Sequence, residues 1–268
     1  MSATATTPAT AVREQLERLG LTVAASALDG YAQQATRENW GPTEFLAALL
    51  GEEQTSRRER AVQARLSLSH LPSRKTLDQF DFAAQPGIDE RRVRELATLR
   101  FLAHGDNVLL LGPPGVGKTH IAIGLAVAAI TAGHTAYFIT AAELLARLSR
   151  DQAERRLEQR WRFYTRPDLL VIDELGYGHF DRAEAHLLFQ LVSRRYERGS
   201  TIVTSNRSYA EWGELLGDPV LATAILDRLL HHSETLTIRG ESYRLREKLK
   251  AGLLNSSPAD HAKTIKNR

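Results

Sequence analysis

Eight consecutive residues, Gly112 to Thr119, have the types and the spacing of a loop that holds a phosphate chain. They are Gly-Pro-Pro-Gly-Val-Gly-Lys-Thr, with an apolar run directly before them and a helical pattern directly after. Glycines let the backbone N–H groups point inward, and the N-terminus of the following helix adds positive potential. We expect Lys118 to contact the β- and γ-phosphates of a nucleoside triphosphate and Thr119 to ligate Mg²⁺. The full set of residues predicted to bind the nucleotide is Gly112, Pro113, Pro114, Gly115, Val116, Gly117, Lys118, Thr119 and His120.

Two adjacent carboxylates follow a second apolar run, Leu169–Ile172. We expect Asp173 to bind the Mg²⁺ of the same site, because carboxylate oxygens at a strand end suit this ion. Its neighbour Glu174 points elsewhere and is suited to orient or deprotonate a water molecule. A water-activating acid favours hydrolysis over transfer of the phosphoryl group to another acceptor. The alternative is an acidic pair at the surface with no catalytic role.

A third run, Thr201–Thr204, is followed by small polar residues that include Asn206. If this strand lies between the other two, the Asn206 amide comes close to the γ-phosphate and can hydrogen-bond to the attacking water. An asparagine at a strand end is otherwise often a turn residue, and this interpretation stays open. Lys118, Glu174 and Asn206 are the catalytic candidates that these strand ends and the loop provide.

Alternating strands and helices must bring these segments together. The sequence predicts helices over 89–101 and 118–132, and strands at 107–111, 136–140, 169–172, 201–204 and 234–238. The strand runs are continuously apolar, which indicates a parallel sheet buried on both faces. We therefore predict an α/β fold built on a parallel sheet.

The first seventy residues have the apolar spacing of amphipathic helices, with Gly20 at a left-handed helix end and Thr43 as the N-cap of a long helix. We predict a small all-helical N-terminal domain over 1–75, a nucleotide-binding domain over 76–250 and a basic C-terminal tail over 251–268. Phe80 and Phe82 lie in the linker that follows the helical domain and precedes the nucleotide-binding core. They are expected to pack against that core, with stacking on a nucleotide base as the alternative.

The composition is that of an ordinary globular protein, with 43% hydrophobic and 25% charged residues. The absence of cysteine excludes disulfides, iron–sulfur ligation and thiol catalysis. The histidines show no metal-ligand spacing with carboxylates, so no metal site beyond Mg²⁺ is expected. No apolar run is long enough to span a membrane and the N-terminal residues lack the features of a secretion signal, so we expect a cytoplasmic protein without a membrane partner.

The net charge of +3 conceals two basic blocks, residues 54–75 and 239–268, each with a net charge of +5. Such blocks attract polyanions in a salt-dependent way. A solvated helix face and a basic tail are the alternative. The residues of the first block that we expect to bind nucleic acid are Arg57, Arg58, Arg60, Arg65, Arg74 and Lys75.

Together these segments resemble the AAA+ ATPases, and more narrowly the IstB-like helper ATPases of bacterial insertion sequences and the related DnaC-type helicase loaders. The resemblance covers residues 112–247 and is specific because five motifs occur in the family's order. They are GPPGVGKTH at Gly112–His120, LLVIDELGY at Leu169–Tyr177, IVTSNR at Ile202–Arg207, AILDRLLHH at Ala224–His232 and ESYRLRE at Glu241–Glu247. The motifs and the long helical leader favour the IstB type. The resemblance implies an AAA+ P-loop core after the helical N-terminal domain, with ATP and Mg²⁺ as cofactors.

The resemblance also implies ATPase sites that form between subunits, with an arginine of the neighbour contacting the γ-phosphate. Arg228 aligns with this position, and Arg244 is the competing candidate. A guanidinium supplied by a second subunit stabilises negative charge on the phosphoryl oxygens. The alternative for Arg228 is a salt bridge to a neighbouring acid or a solvated helix position.

The function that the resemblance implies is that of an ATP-hydrolysing transposition helper. It would form a head-to-tail ring or helical homo-oligomer on duplex DNA, remodel that DNA and regulate a partner transposase encoded nearby. The first alternative is a loader of a replicative helicase, acting on single-stranded DNA. A non-catalytic nucleotide switch is disfavoured by Glu174, Asn206 and Arg228, and a small-molecule kinase by the lack of an acceptor-site signature after the loop.

Overall fold

The structure is a computed structural model that describes residues 7–178 and 180–243. The chain divides into two compact units, Met1–Ala64 and Arg65–Arg268. The first unit holds helices α1 (Pro8–Arg18) and α2 (Thr22–Glu38) and most of α3 (Pro42–Leu68). The predicted helical N-terminal region is therefore present.

Local sequence signals set the ends of these helices. Gly20 has a φ of +72° directly after α1, the left-handed conformation that a glycine adopts most easily. The expected N-cap at Thr43 is wrong, because α3 already begins at Pro42. Proline suits the first position of a helix, where its missing N–H costs nothing. The Gly41 N–H instead donates to Glu44 Oε2 at 2.8 Å.

A buried carboxylate joins α2 and α3. Glu53 is 2% exposed, and its Oε2 accepts hydrogen bonds from the backbone N–H groups of Val23 (2.9 Å) and Ala24 (3.1 Å), in the first turn of α2. Its Oε1 accepts from Arg57 Nε at 2.8 Å. Beside it, Ala24, Leu28 and Leu49 form the small apolar core of this unit.

The second unit contains alternating helices and strands. Its elements in chain order are α4 (Glu90–Leu96), α5 (Arg100–His104), β1 (Asn107–Leu111), α6 (Lys118–Thr131), β2 (Ala136–Thr140), α7 (Ala141–Ala153), α8 (Leu157–Thr165), β3 (Leu169–Leu175), α9 (Arg182–Arg195), β4 (Ser200–Ser205), α10 (Trp212–Leu215), α11 (Pro219–Leu230) and β5 (Ser233–Thr237). Short 3₁₀ turns occur at Leu77–Gln79 and Tyr209–Glu211.

The described strands form one parallel sheet in the order β2-β3-β4-β1-β5. This order places β4 between β1 and β3, as the Asn206 hypothesis requires. Because all strands run in the same direction, the carboxyl ends of β1, β3 and β4 meet at one edge of the sheet. The predicted α/β fold with a parallel sheet is confirmed.

Helices cover the sheet and fix its strands. Leu170 and Ile172 of β3 pack in one apolar core with α7, α8, α9 and α11, while α6 contacts β1 through β4. At the end of α9, the buried Arg195 guanidinium donates to the carbonyls of Tyr164 (2.8 Å) and Ser200 (2.6 Å). These bonds connect the start of β4 to the segment before β3. Burial of the guanidinium lowers the pKa of Arg195 to about 10.

Two predicted elements differ in the structure. The helix expected over 89–101 is divided into α4 and α5, because Leu99 adopts a left-handed φ of +62° and the Thr98 hydroxyl donates to the Glu95 carbonyl. The strand expected to stop at Ile172 continues to Leu175. Within the described ranges, no helix combines the length and the apolar character needed to cross a membrane.

Candidate functional site

The loop between β1 and α6 is enclosed by the chain that follows β5. The Ile238 N–H donates to Leu111 O at 2.7 Å, and the Tyr243 N–H donates to Gly115 O at 3.0 Å. Gly112 has a φ of +150°, and a Cβ atom on it would lie 2.3 Å from Ile238 O. A side chain at this position is therefore excluded both by the backbone conformation and by the close approach of the second segment.

This loop forms one wall of a cavity of about 870 Å³. Loop residues 114–120 line it together with side chains from the ends of β3 and β4 and from the linker before α4. Lys118 is 8% exposed, and its Nζ donates to Gly112 O at 2.6 Å and to Pro113 O at 2.8 Å. The ammonium group thus lies inside the loop, where the sequence predicts contact with phosphate.

A hydroxyl and a carboxylate meet at the edge of this cavity. Thr119 Oγ1 donates to Asp173, 3.0 Å from Oδ1 and 3.1 Å from Oδ2. Thr204 Oγ1, from the neighbouring strand, also donates to Asp173 Oδ1, at 2.6 Å. Oxygen ligands of this type and closeness fit Mg²⁺, which binds one or two protein oxygens together with water and substrate phosphates. The two predicted metal ligands are therefore brought together.

Glu174 reaches the same cavity through an irregular strand. The pairing of β3 with β4 shifts register between Ile172 and Leu175, and Glu174 has a left-handed φ of +62°. Its N–H donates to Thr204 Oγ1 at 2.9 Å. Because of this bulge, Asp173 is buried while the next side chain, Glu174, is exposed and lines the cavity. Two successive carboxylates can thus serve one site.

Asn206 also lines the cavity, at the end of β4. Its Oδ1 is buried and has no hydrogen-bond partner among the described residues. A Cβ atom on Gly176, which has a φ of +133°, would lie 2.3 Å from this oxygen. The absence of a side chain at Gly176 therefore leaves room for the Asn206 amide. This glycine belongs to the motif at Leu169–Tyr177, but the sequence alone does not explain why a glycine is needed there.

Arg228 lies apart from these groups, on α11. Its Nη1 donates to Ala224 O at 3.0 Å, and its guanidinium carbon lies 4.7 Å from the centre of the Phe189 ring. The described residues that line the cavity do not include Arg228, and it forms no salt bridge with another described residue. Its competitor Arg244 lies outside the described residues, as do the predicted tail 251–268 and the last residues of the fifth motif.

The linker before α4 packs on the loop and on α6. His120 Nε2 is 3.0 Å from Thr76 O, and its ring is edge-on to Phe80 at a centroid distance of 5.1 Å. A Cβ atom on Gly117 would lie 2.6 Å from the Phe80 ring. Phe80 therefore packs against the core as predicted, and it also lines the cavity. Phe82 contacts Phe80, with a ring distance of 4.8 Å.

The predicted nucleic-acid residues have several different surroundings. Arg57 and Arg60 form ion pairs with Glu53, at 2.8 and 3.5 Å. Arg58 is exposed, and Lys75 lines the cavity instead of belonging to a separate basic surface. Arg65 is half-buried and Arg74 is exposed. Nucleic-acid binding by these six residues remains a prediction. Arg58 is the best candidate for a test, because its substitution removes neither of the ion pairs with Glu53.

Sequence spacing also missed a group of exposed side chains at the opposite edge of the sheet. Glu197, His231 and His232 each place one potential ligand atom within 4.8 Å of the others. The His231 Nδ1 contacts the Tyr196 hydroxyl at 2.7 Å. The fold, and not sequence spacing, brings Glu197 to these histidines, and the expectation of no metal site beyond Mg²⁺ stays a prediction. This group lies where β5 begins, so it takes no part in the cavity beside the loop.

The fold and the site define a P-loop nucleotide-binding protein of the AAA+ type. The crystal structure of the DnaC helicase loader has a TM-score of 0.50 and 25% identity, over 62% of this chain and 97% of that one. DnaI has a TM-score of 0.53 at 20% identity, over 62% of this chain and 92% of its own. AMPPCP-bound DnaA from Aquifex aeolicus has a TM-score of 0.50 at 18% identity, over 74% of this chain and 62% of its own. The last two likenesses concern the fold alone.

The particular family follows from the sequence comparisons. A family model described as IstB-like ATP binding protein matches residues 14–251, and the chain belongs to this family. An insertion sequence IS5376 ATP-binding protein from Geobacillus stearothermophilus is 50% identical over 237 residues, 88% of this chain and 94% of its own length. The corresponding IS21 protein from Pseudomonas aeruginosa is 48% identical over 254 residues, 94% of this chain and 96% of its own. The resemblance found in the motifs is confirmed.

Proposed function

We propose that this chain is a Mg²⁺-dependent ATPase that assembles head to tail on duplex DNA, remodels it and regulates a partner transposase. The observation that carries the proposal is the separation of Arg228 from the cavity that holds the loop lysine, the metal ligands and both water-binding candidates. One chain then supplies every group that hydrolysis needs except the arginine that stabilises charge on the γ-phosphate. A second copy of the chain is the natural source of that arginine.

Each group has a definite part in hydrolysis. Thr119 and Asp173 are the residues that would hold Mg²⁺, which would supply positive charge to offset that of the triphosphate. Lys118 exchanges its bonds to the Gly112 and Pro113 carbonyls for phosphate oxygens. The Glu174 carboxylate accepts a proton from the attacking water. The Asn206 amide, which lines the cavity, hydrogen-bonds to the same water and thereby orients it.

A site shared in this way links nucleotide state to assembly. The loop of one subunit faces the Arg228 surface of the next, so the interface is heterologous and generates a ring or a helix. ATP joins the two subunits because its γ-phosphate contacts both. Hydrolysis removes this contact and loosens the interface. The assembled state is then the ATP state.

The DNA and transposase parts of the proposal are supported by the basic residues and by the relatives. A basic surface repeated along an oligomer contacts successive phosphates with little reading of base sequence. The relatives from Geobacillus stearothermophilus and Pseudomonas aeruginosa are named as ATP-binding proteins of insertion sequences. A helper of this kind acts on a separate enzyme that cuts and joins the DNA.

Mixing two inactive variants tests the shared site. Arg228→Ala removes the arginine and Lys118→Ala the loop lysine, and we expect each alone to lose about 10³-fold or more in turnover. In an equal mixture, about one interface in four combines an intact loop with an intact arginine. We therefore expect ATP hydrolysis to recover to as much as roughly a quarter of the wild-type rate.

The control is Arg150→Ala, which removes an exposed arginine of α7 and should keep the wild-type rate. If Arg228→Ala retains full turnover, or if the mixture is no more active than the sum of its parts, the shared site is wrong.

One observation favours a second candidate function. The DnaC helicase loader matches over 97% of its own chain at 25% identity, so a loader of a replicative helicase could share this ATPase core. A loader of this kind would bind single-stranded DNA in preference to duplex DNA. Competition between the two forms for the ATP-bound chain separates the candidates.

A further inference from the structure

Three exposed side chains with metal-ligating groups lie close together at the amino-terminal edge of the sheet. Glu197 lies in the turn between α9 and β4, and His231 and His232 lie between α11 and β5. One potential ligand atom from each of them lies within 4.8 Å of the other two. Zn²⁺ holds nitrogen and carboxylate ligands at about 2.0–2.2 Å, so small rotations of these exposed side chains suffice to bring the three atoms around one ion.

The backbone that carries these side chains is held by hydrogen bonds of a buried asparagine. The Asn107 N–H, at the start of β1, donates to His232 O at 2.8 Å. The Asn107 side chain donates to Leu229 O at 3.1 Å and accepts from the Thr201 N–H at 2.9 Å. These bonds connect the end of α11 to the start of β4, so both turns that contribute ligands are attached to the sheet. Groups on a rigid support lose less conformational freedom when they bind an ion.

A tyrosine contacts one of the two imidazole rings. The Tyr196 hydroxyl is 2.7 Å from His231 Nδ1. With the Nδ1–H as donor to the tyrosine oxygen, the lone pair of the ring lies on Nε2 and is available to a metal ion. Asp106 and His104 line a surface recess together with Glu197 and His232, so two further potential ligands lie at the same edge.

The chemistry of the donors selects the class of metal. Two imidazoles and one carboxylate form the ligand set of zinc sites that keep an open position. Imidazole nitrogen suits Zn²⁺ and its neighbours in the first transition row, whereas Mg²⁺ prefers oxygen ligands. The Mg²⁺ expected beside Asp173 is therefore a poor competitor for this group, which lies at the opposite edge of the sheet.

We propose that Glu197, His231 and His232 bind one Zn²⁺ ion, which connects the turn before β4 to the end of α11. This proposal departs from the expectation that the protein has no metal site beyond Mg²⁺. It depends neither on ATP hydrolysis nor on assembly, because all three ligands come from one chain and lie outside the cavity beside the phosphate loop.

Isothermal titration with zinc chloride tests the site in the full chain, stripped of metal by a chelator and kept in Mg²⁺ without nucleotide. We expect one ion per chain with a Kd of about 1 µM or lower. His232→Gln should weaken binding by about 100-fold or more, and Tyr196→Phe by roughly tenfold, since it removes only the partner of a ligand. The matched control is His186→Gln, which removes an exposed histidine of α9 outside the group and should keep the wild-type affinity.

Thermal stability provides a second measurement. At about 100 µM Zn²⁺ the melting temperature of the wild type should rise by roughly 5 °C or more, because the ion binds the folded chain. We expect His232→Gln to show little of this rise. Glu197→Gln removes a different ligand at an exposed position and provides a second variant should the histidine variant fold poorly.

Two results would overturn the proposal. One is a wild-type chain that binds Zn²⁺ no more tightly than about 100 µM, a measurement that needs no variant. The other is equal affinity in the wild type, His232→Gln and Glu197→Gln, which would mean an adventitious ion only, held elsewhere on the chain. Failure of the ATPase proposal leaves both measurements intact, because neither contains nucleotide or DNA.

Discussion

At the residue scale, the backbone of Glu174 is strained where the proposed chemistry occurs. A left-handed φ of +62° is uncommon for a residue with a side chain and costs about 1 kcal/mol or more. The bond from its N–H to Thr204 Oγ1 and the register shift beside it hold this conformation. With this conformation Glu174 lines the cavity while Asp173 stays buried beside Thr119. In the proposed function, the position of this carboxylate is obtained at the expense of stability.

Comparison of Glu174→Gly with Glu174→Gln tests whether the backbone conformation at this position lowers stability. Both variants lack the carboxylate, so we expect both to lose ATP hydrolysis. Only glycine relieves the left-handed strain, and its free energy of unfolding should exceed that of the glutamine variant by about 1 kcal/mol. In a unit of this size the melting temperature then differs by roughly 2–4 °C. Equal melting temperatures, measured by circular dichroism without nucleotide, would mean that the backbone is unstrained.

At the element scale, the N-terminal unit has a small apolar core and relies on the polar connection between α2 and α3. The Glu53 carboxylate accepts from Arg57 on its own helix and from two N–H groups in the first turn of α2. These bonds, the one from Arg57 foremost, lower the pKa of Glu53 below its ordinary value of 4.5. A lowered carboxylate pKa stabilises the fold above about pH 4.5. That contribution is lost as the pH falls through the lowered pKa.

Glu53→Gln should therefore reduce stability at neutral pH and lose its effect in acid. The amide keeps one acceptor oxygen but no charge, so the bonds from Arg57 and from the α2 backbone weaken together. We expect a lower melting temperature than wild type at pH 7 and a smaller difference at pH 3. Circular dichroism melts of the full chain provide the measurement. Glu59→Gln, an exposed acid on the same helix, is the control and should change little at either pH. A constant difference between wild type and Glu53→Gln would refute the charge argument.

How much the sequence predicts at this scale depends on whether a feature is local. The phosphate loop and the apolar strands are local signals, and the meeting of Thr119 with Asp173 follows because parallel strands end at one edge. The bulge at Glu174 and the break at Leu99 have no glycine to mark them, since neighbouring elements impose both left-handed conformations. The segment after β5 encloses the phosphate loop through the bond from the Tyr243 N–H to Gly115 O, a contact between distant positions that no spacing rule could reveal.

At the scale of the whole molecule, the proposed division of the ATPase site between subunits would make DNA binding a property of the assembly. In the proposed oligomer each copy repeats the same exposed basic residues, so their contacts with phosphate would add along it. Each lost contact lowers the salt dependence of binding, because fewer counterions are released from the DNA. Arg57 and Arg60 are unsuitable for such a test, since their ion pairs with Glu53 support the N-terminal unit. Arg58 is exposed and leaves that support intact.

Arg58→Ala should therefore weaken binding to duplex DNA and flatten its salt dependence. We use the Glu174→Gln background, in which the ATP-bound assembly is expected to persist. There the slope of log affinity against log salt concentration should fall in magnitude by about 0.9 per subunit. Fluorescence anisotropy of a labelled duplex between roughly 50 and 200 mM salt measures the slope. Arg37→Ala removes an exposed arginine of α2 outside the basic block and serves as control. If both variants bind with the wild-type slope, the phosphate contacts lie elsewhere on the chain, and residues 54–75 form a solvated surface.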